Sequence, residues 1–162
     1  MELLDLYDDN GNKLNKTVER GKQYKEGRIM LSIVFIKNSN DEYLIQKTSK
    51  EKGLENASTG GHVNAGESSL TCIIRELEEE LGLQITKEDL HFLGLESRTK
   101  APVIFAVYTL IKDINIEDLK LQEEEVESVS WLTKGEILKL IKEKKFKESH
   151  GDIFKKYISK NN

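Results

Sequence analysis

Twenty-three residues, Gly61 to Leu83 (GHVNAGESSLTCIIRELEEELGL), constrain this chain more than any other stretch. They read as a glycine-rich loop running into an amphipathic helix from about Ser68 to Leu81. At about 100° per residue, Leu70, Ile73, Ile74, Leu77 and Leu81 form one apolar stripe for the core. Glu76, Glu79 and Glu80 stand at i, i+3, i+4 and share a neighbouring face. Three like charges so close repel one another. A divalent cation would turn that repulsion into ligation, because hard Mg²⁺ takes carboxylate oxygens and usually keeps several waters. The competing reading is a solvated acidic face with Lys or Arg partners.

The stretch resembles the Nudix box, G-x5-E-x7-R-E-U-x-E-E-x-G-U with U a bulky apolar residue. Gly61, Glu67, Arg75, Glu76, Leu77, Glu79, Glu80, Gly82 and Leu83 fill its fixed positions. The resemblance implies an α/β protein, the Nudix α/β/α sandwich with a mixed sheet, acting as a metal-dependent diphosphate hydrolase. It also implies site roles. Glu76, Glu79 and Glu80 bind metal, joined by the Gly61 carbonyl, and Glu67 and Arg75 orient the carboxylates. Mg²⁺ is the expected ion and Mn²⁺ the plausible substitute.

At 162 residues with 37% hydrophobic and 33% charged residues, the chain has the size and composition of one domain, 1–162, with a proper core. A net charge of −4 argues against a nucleic-acid backbone as partner. No apolar run approaches the roughly 18 residues that span a bilayer, and the N-terminus lacks a signal-peptide pattern. A single cysteine suits a reducing cytoplasm. The expected partner is a small diphosphate; a homodimer is left open.

In chain order, Glu2 to Tyr7 reads as a strand and Asp9-Asn10-Gly11 as a turn. This segment, an N-terminal hairpin within about 1–27, resembles Nudix proteins related to isopentenyl-diphosphate isomerase. Arg28 to Ile36 and Tyr43 to Lys47 read as strands around a polar turn. By resemblance, a basic residue near Lys47 faces a substrate phosphate; solvated surface is its ordinary role. Gly60 and Gly61 let the backbone pass close to metal or phosphate, which makes Gly60 a substrate-binding candidate. His62 receives a structural or orienting role, since the other donors are oxygens. A helical turn at Lys87 to Leu90 precedes a strand around Phe92 to Leu95, and Val103 to Ile111 is the strongest strand candidate. Leu119 to Glu125 reads as an acidic loop and Val126 to Leu132 as a strand. Thr133 caps a helix through a box with Glu136, and Asp152 to Ser159 forms a last short helix; the C-terminal helices occupy about 134–159.

Glu125, with Glu124 behind it, is the candidate for activating water, because Nudix proteins often carry Glu-Glu-Val a few residues before a Trp, here Trp131. Catalysis thus falls to Glu79, Glu80 and Glu125. The isomerase uses a cysteine ahead of its box, whereas residues 53–63 here contain none. Cys72, inside the box helix, reads as packing. The expected activity is hydrolysis of a nucleoside diphosphate linked to another moiety, NDP-X. The alternatives are an isomerase-like activity on a prenyl diphosphate, or a non-catalytic binding module with the same fold.

Overall fold

Two central strands are buried on both faces, so their side chains alternate between two cores rather than between core and solvent. In β3 (Ile29–Lys37) and β8 (Val103–Ile111), Met30, Val34, Ile36, Ile104, Ala106, Tyr108 and Leu110 enter one core, and Ile33, Phe35, Phe105 and Val107 the other. The computed structural model describes residues 2–160. β3 and β8 run parallel, from the Ile29–Val103 pair to the Lys37–Ile111 pair. The sheet follows the order β5-β4-β3-β8-β7, with β6 also pairing β3 and β9 also pairing β4. Its other strands are β4 (Glu42–Thr48), β5 (Asn56–Ala57), β6 (Thr59–His62), β7 (Leu90–Ser97) and β9 (Val126–Thr133). Parallel and antiparallel pairs make it a mixed sheet.

Helix α1 (Ser69–Leu81) covers the first core with Cys72, Ile73, Leu77 and Leu81, while Leu70 and Ile74 pack at its margin. Ser68 caps it by accepting from Thr71 N–H, and Gly82 closes it with a left-handed φ of 66°. Helices α2 (Lys134–Lys142) and α3 (Glu148–Phe154) cover the second core through Ile137, Ile153 and Phe154. The expected capping box is present, since Thr133 N–H donates to Glu136 and Glu136 N–H donates back to Thr133 Oγ1. The N-terminal hairpin consists of β1 (Leu3–Tyr7) and β2 (Lys13–Glu19). Its first strand braces the glycine-rich turn, because Ala65 N–H donates to the Leu3 carbonyl and Gly66 N–H to Asp5.

Two expectations need correcting. Thr59–His62 is not loop but strand β6, paired antiparallel with Leu31 to Val34 of β3. The last helix begins at Glu148 rather than Asp152, and Lys155–Ser159 continues it as a π turn. Gly151 obscures that start in the sequence. A Cβ there would lie 3.1 Å from Ile141, so the glycine permits close α2–α3 packing rather than ending a helix.

One topological feature positions the site. β3 and β4 share a single register pair, Lys37–Tyr43. Beyond it they separate, and residues 56–62 cross the fork, Asn56–Ala57 on β4 and Thr59–His62 on β3, with Ser58 between.

Candidate active site

Arg75 organises the carboxylates. Its Nε and Nη2 grip both oxygens of Glu67 at 2.8 and 2.9 Å, a bidentate pair that suits the planar guanidinium. Nη1 donates to Glu76 at 3.0 Å and Glu79 at 3.2 Å, and Nη2 also donates to the His62 carbonyl at 3.2 Å. One cation from α1 therefore ties together the turn, strand β6 and two helix carboxylates. The Glu67 carboxyl also accepts from Asn64 N–H, so the turn itself orients it.

Glu80 lies deeper, with only 6% of its surface exposed. Gln46 Nε2 donates to its Oε1 at 2.8 Å, and Thr59 Oγ1 donates to Gln46 Oε1 at 2.9 Å, which fixes the amide's orientation. Burial drives the Glu80 carboxyl well above the usual carboxylate range. A hydrogen bond with Glu76 and the charges of Glu76 and Glu125 add to that, while the Gln46 amide opposes it.

Glu125 is brought in from the other side. Lys120 N–H donates to the Leu81 carbonyl and Gln122 N–H to that of Glu80, so the acidic loop lies against the C-terminal end of α1. Lys52 Nζ then pairs with Glu125 at 2.9 Å. Together these groups line a cleft of about 320 Å³ over the fork of β3 and β4. Its walls include Gly60, Gly61, Glu76, Glu79, Glu80, Gln122 and Glu125 together with Ser58, Phe105 and His150, with Arg20, Lys52 and Lys147 supplying cations.

The NUDIX domain profile matches residues 28–157. A Nudix hydrolase of Listeria monocytogenes is 36% identical over 85% of this chain and 83% of its own length. The chain belongs to the Nudix family. A Deinococcus radiodurans crystal structure superposes with a TM-score of 0.80 at 23% identity, covering 97% of this chain and 99% of that one, and it shares the fold. So does a Francisella tularensis bifunctional NMN adenylyltransferase/ADP ribose pyrophosphatase complexed with AMP and a Mn ion. Its TM-score is 0.64 at 19% identity, over 87% of this chain and 44% of that one.

The Nudix box residues respond to this geometry in different ways. At Gly61 an added Cβ would sit 2.3 Å from the Glu76 carboxylate, so the missing side chain makes room for a carboxylate against the β6 backbone. At Gly60 the same atom would meet the Ser32 carbonyl of β3 at 2.4 Å, so this glycine serves strand pairing, although the residue also lines the cleft. Lys47 does not line the cleft. It is exposed on β4 between Gln46 and Thr48, both of which do line it, because strand residues alternate in direction. Lys52, from the turn after β4, stands in the cleft instead. Glu124 contributes its carbonyl to Ser49 Oγ at 2.8 Å. Burial lowers the His62 pKa to about 4 and raises that of the Cys72 thiol to about 12, and Cys72 points its Sγ at the His62 carbonyl, 3.4 Å away.

Sequence reading missed Gln46, Ser58 and His150. Gln46 alone left a trace, as an amide within the otherwise apolar Tyr43-Leu44-Ile45 run of β4.

A divalent cation fits this donor set. Glu76 and Glu80 are adjacent acids in contact, one of them buried, and the Gly61 backbone is open toward Glu76. Among the described residues the carboxylates do not yet converge on one point, because Arg75 holds Glu76 and Glu79 while Gln46 holds Glu80.

Proposed function

We propose that this Nudix hydrolase of phosphoric anhydride bonds acts on nucleoside diphosphates carrying a further group, NDP-X. The observation that carries the reading is the cleft of about 320 Å³, whose walls take in Ser58 and, from α3, His150 besides the box carboxylates of α1. A diphosphate held at the carboxylates thus has room in the same cleft for a substituent. Glu76, Glu79, Glu80 and the Gly61 carbonyl would hold the ion, Mg²⁺ by preference and Mn²⁺ as substitute. When bound, such an ion neutralises phosphate oxygens and lowers the pKa of coordinated water.

The chain's own groups do the rest. Arg75 keeps Glu67, Glu76 and Glu79 in register, and Gln46 orients Glu80. Lys52, Arg20 and Lys147 supply positive charge for the phosphates. Glu125 accepts the proton of the attacking water, and Lys52 Nζ, 2.9 Å away, fixes where its carboxylate stands. The buried, unpaired Cys72 accords with a reducing cytoplasm as the place of work. Among the described residues no helix is long and apolar enough to cross a membrane.

The N-terminal hairpin keeps the isomerase-related branch as the second reading. That chemistry needs an acid and a base across an alkene. Cys72 is fully buried, is held high in pKa by burial, and is directed at backbone carbonyls. Diphosphate compounds incubated with Mg²⁺ in heavy water, with products identified by mass, separate the readings. NDP-X compounds are expected to give a nucleoside monophosphate and X-phosphate, and isopentenyl diphosphate is expected to return without deuterium. Glu79→Gln and Glu80→Gln should each slow turnover about 10³-fold, roughly 4 kcal/mol of transition-state stabilisation. Turnover undiminished in EDTA, or in both variants, would falsify this mechanism.

A further inference from the structure

Tyr7 buries a phenol without pairing it. The register of β1 shifts between Asp5 and Tyr7, and a bulge of this kind re-aims the side chain that follows it. Tyr7 thereby enters the first core and is only 4% exposed, yet among the described residues its Oη has no hydrogen-bond partner. Among those residues Ser58 Oγ is the one unpartnered side-chain atom sealed from solvent, so the Tyr7 hydroxyl is reached from outside. The opening is a groove of about 520 Å³ between the hairpin turn, the start of α1 and strand β7, a size that small-molecule sites share. No residue of its wall also lines the carboxylate cleft.

Every other polar side chain of that wall already has a partner. Lys13 pairs with Asp5 at 3.2 Å, and Arg75 holds both oxygens of Glu67. Ser68 Oγ bonds Thr71 Oγ1 at 2.8 Å, and Ser69 Oγ bonds Tyr108 Oη at 2.7 Å. The charges are thus matched within the protein, and the phenol alone is left over. Burial above all, and then the Asp5 carboxylate, push its pKa up to about 12, so it keeps its proton and can donate. Ser69 N–H, in the first turn of α1, precedes any intrahelical acceptor and adds a second donor. The rest of the wall is apolar. Phe92 is 55% exposed and leans on Tyr108, with ring centroids 5.4 Å apart. Gly11 comes so close to Leu95 that a Cβ would stand 2.6 Å from its side chain, so the hairpin turn packs against β7 beside the groove.

We infer that this groove is a second binding site, and that it takes an uncharged aromatic ring bearing a carbonyl group. The ring rests against Phe92, Leu95 and Met30, and the carbonyl accepts from Tyr7 Oη and Ser69 N–H. A carboxylate would bring a charge that no wall residue is free to match. A purely apolar guest would displace water from the Tyr7 hydroxyl and leave it unpaired. Nor is the edge of β7 free for a strand of a second copy, because Tyr157 Oη donates to the Leu95 carbonyl at 3.2 Å. The inference is independent of the NDP-X reading.

The probes are benzamide, benzoate and toluene, which share the ring and differ in its polar group. Each is titrated into the isotopically labelled full chain and followed by backbone amide chemical shifts. Benzamide should move Gly66, Ser69 and Leu95 and bind with a Kd of about 1 mM, a range open to a ligand of so few atoms. Benzoate and toluene should each bind about fivefold more weakly, or worse. Tyr7→Phe should weaken benzamide about fivefold, leave toluene unchanged and leave the melting temperature unchanged or higher. Equal binding of the three probes, binding of none, or shifts confined to residues of the carboxylate cleft overturns the inference. So does a folded Tyr7→Phe variant that keeps the wild-type affinity for benzamide. Shifts of the same amides that grow with protein concentration, without any probe, would make the groove an interface between copies and overturn it too. Should Tyr7→Phe fail to fold, the order of the three probes on the wild-type protein decides.

Discussion

Arg75 shows how one side chain sets the state of several others. A guanidinium cannot ligate a cation, yet it contacts Glu67, Glu76, Glu79 and the His62 carbonyl together. Arg75→Gln should therefore lower kcat/KM about 10–100-fold and still leave Mn²⁺ titratable by paramagnetic resonance. Complete loss of Mn²⁺ binding in a variant that melts normally would mean Arg75 holds the carboxylates themselves together. These contacts are legible in the amino-acid sequence, because helical spacing alone places Arg75 within reach of Glu79 and the box pattern marks Glu67. The Gln46 contact is not. It depends on β4 meeting α1 across a sequence separation of 34, and no local pattern encodes that distance.

At the level of elements, the glycine-rich stretch divides into two jobs that its composition conceals. The paired glycines look like a loop because strands seldom contain them. They stand in a strand because carbonyl and carboxylate oxygens occupy the space of both missing side chains. The consequences of substitution differ accordingly. Gly60→Ala drives a Cβ into the backbone of β3, which cannot step aside, so it should lower stability by about 2 kcal/mol or more in urea unfolding. Gly61→Ala meets the end of a flexible side chain instead. It should displace Glu76, lowering turnover sharply with a much smaller effect on stability. Equal losses of stability in the two variants would show that both glycines serve strand pairing alone. The capping box of α2 and the central β8 strand, by contrast, are readable as written, because each depends only on neighbours in sequence.

For the whole molecule, His150 couples the C-terminal helix to the cleft and to pH. Its imidazole is neutral in the folded chain, with a pKa lowered to about 3, whereas an unfolded chain would protonate it near the ordinary 6.5. Below pH 6.5 the unfolded state therefore binds the extra proton, and stability falls as pH falls; above 6.5 this contribution is fully present. By pH 4.5 the loss from this one group approaches about 2 units at 1.36 kcal/mol each, or roughly 2.7 kcal/mol. His62, with a pKa lowered to about 4, acts in the same direction, so the wild-type pH profile alone does not isolate His150. Comparison with His150→Gln does, because His150 Nδ1 accepts from Ser58 N–H, and glutamine retains a carbonyl acceptor for it but has nothing to titrate. Urea unfolding at pH 7.5 and pH 4.5 should show the variant losing about 2 kcal/mol less than the wild type across that interval, whatever its stability at the upper pH. Parallel losses in the two proteins would mean that His150 takes up its proton within the fold, and that burial does not hold the ring neutral.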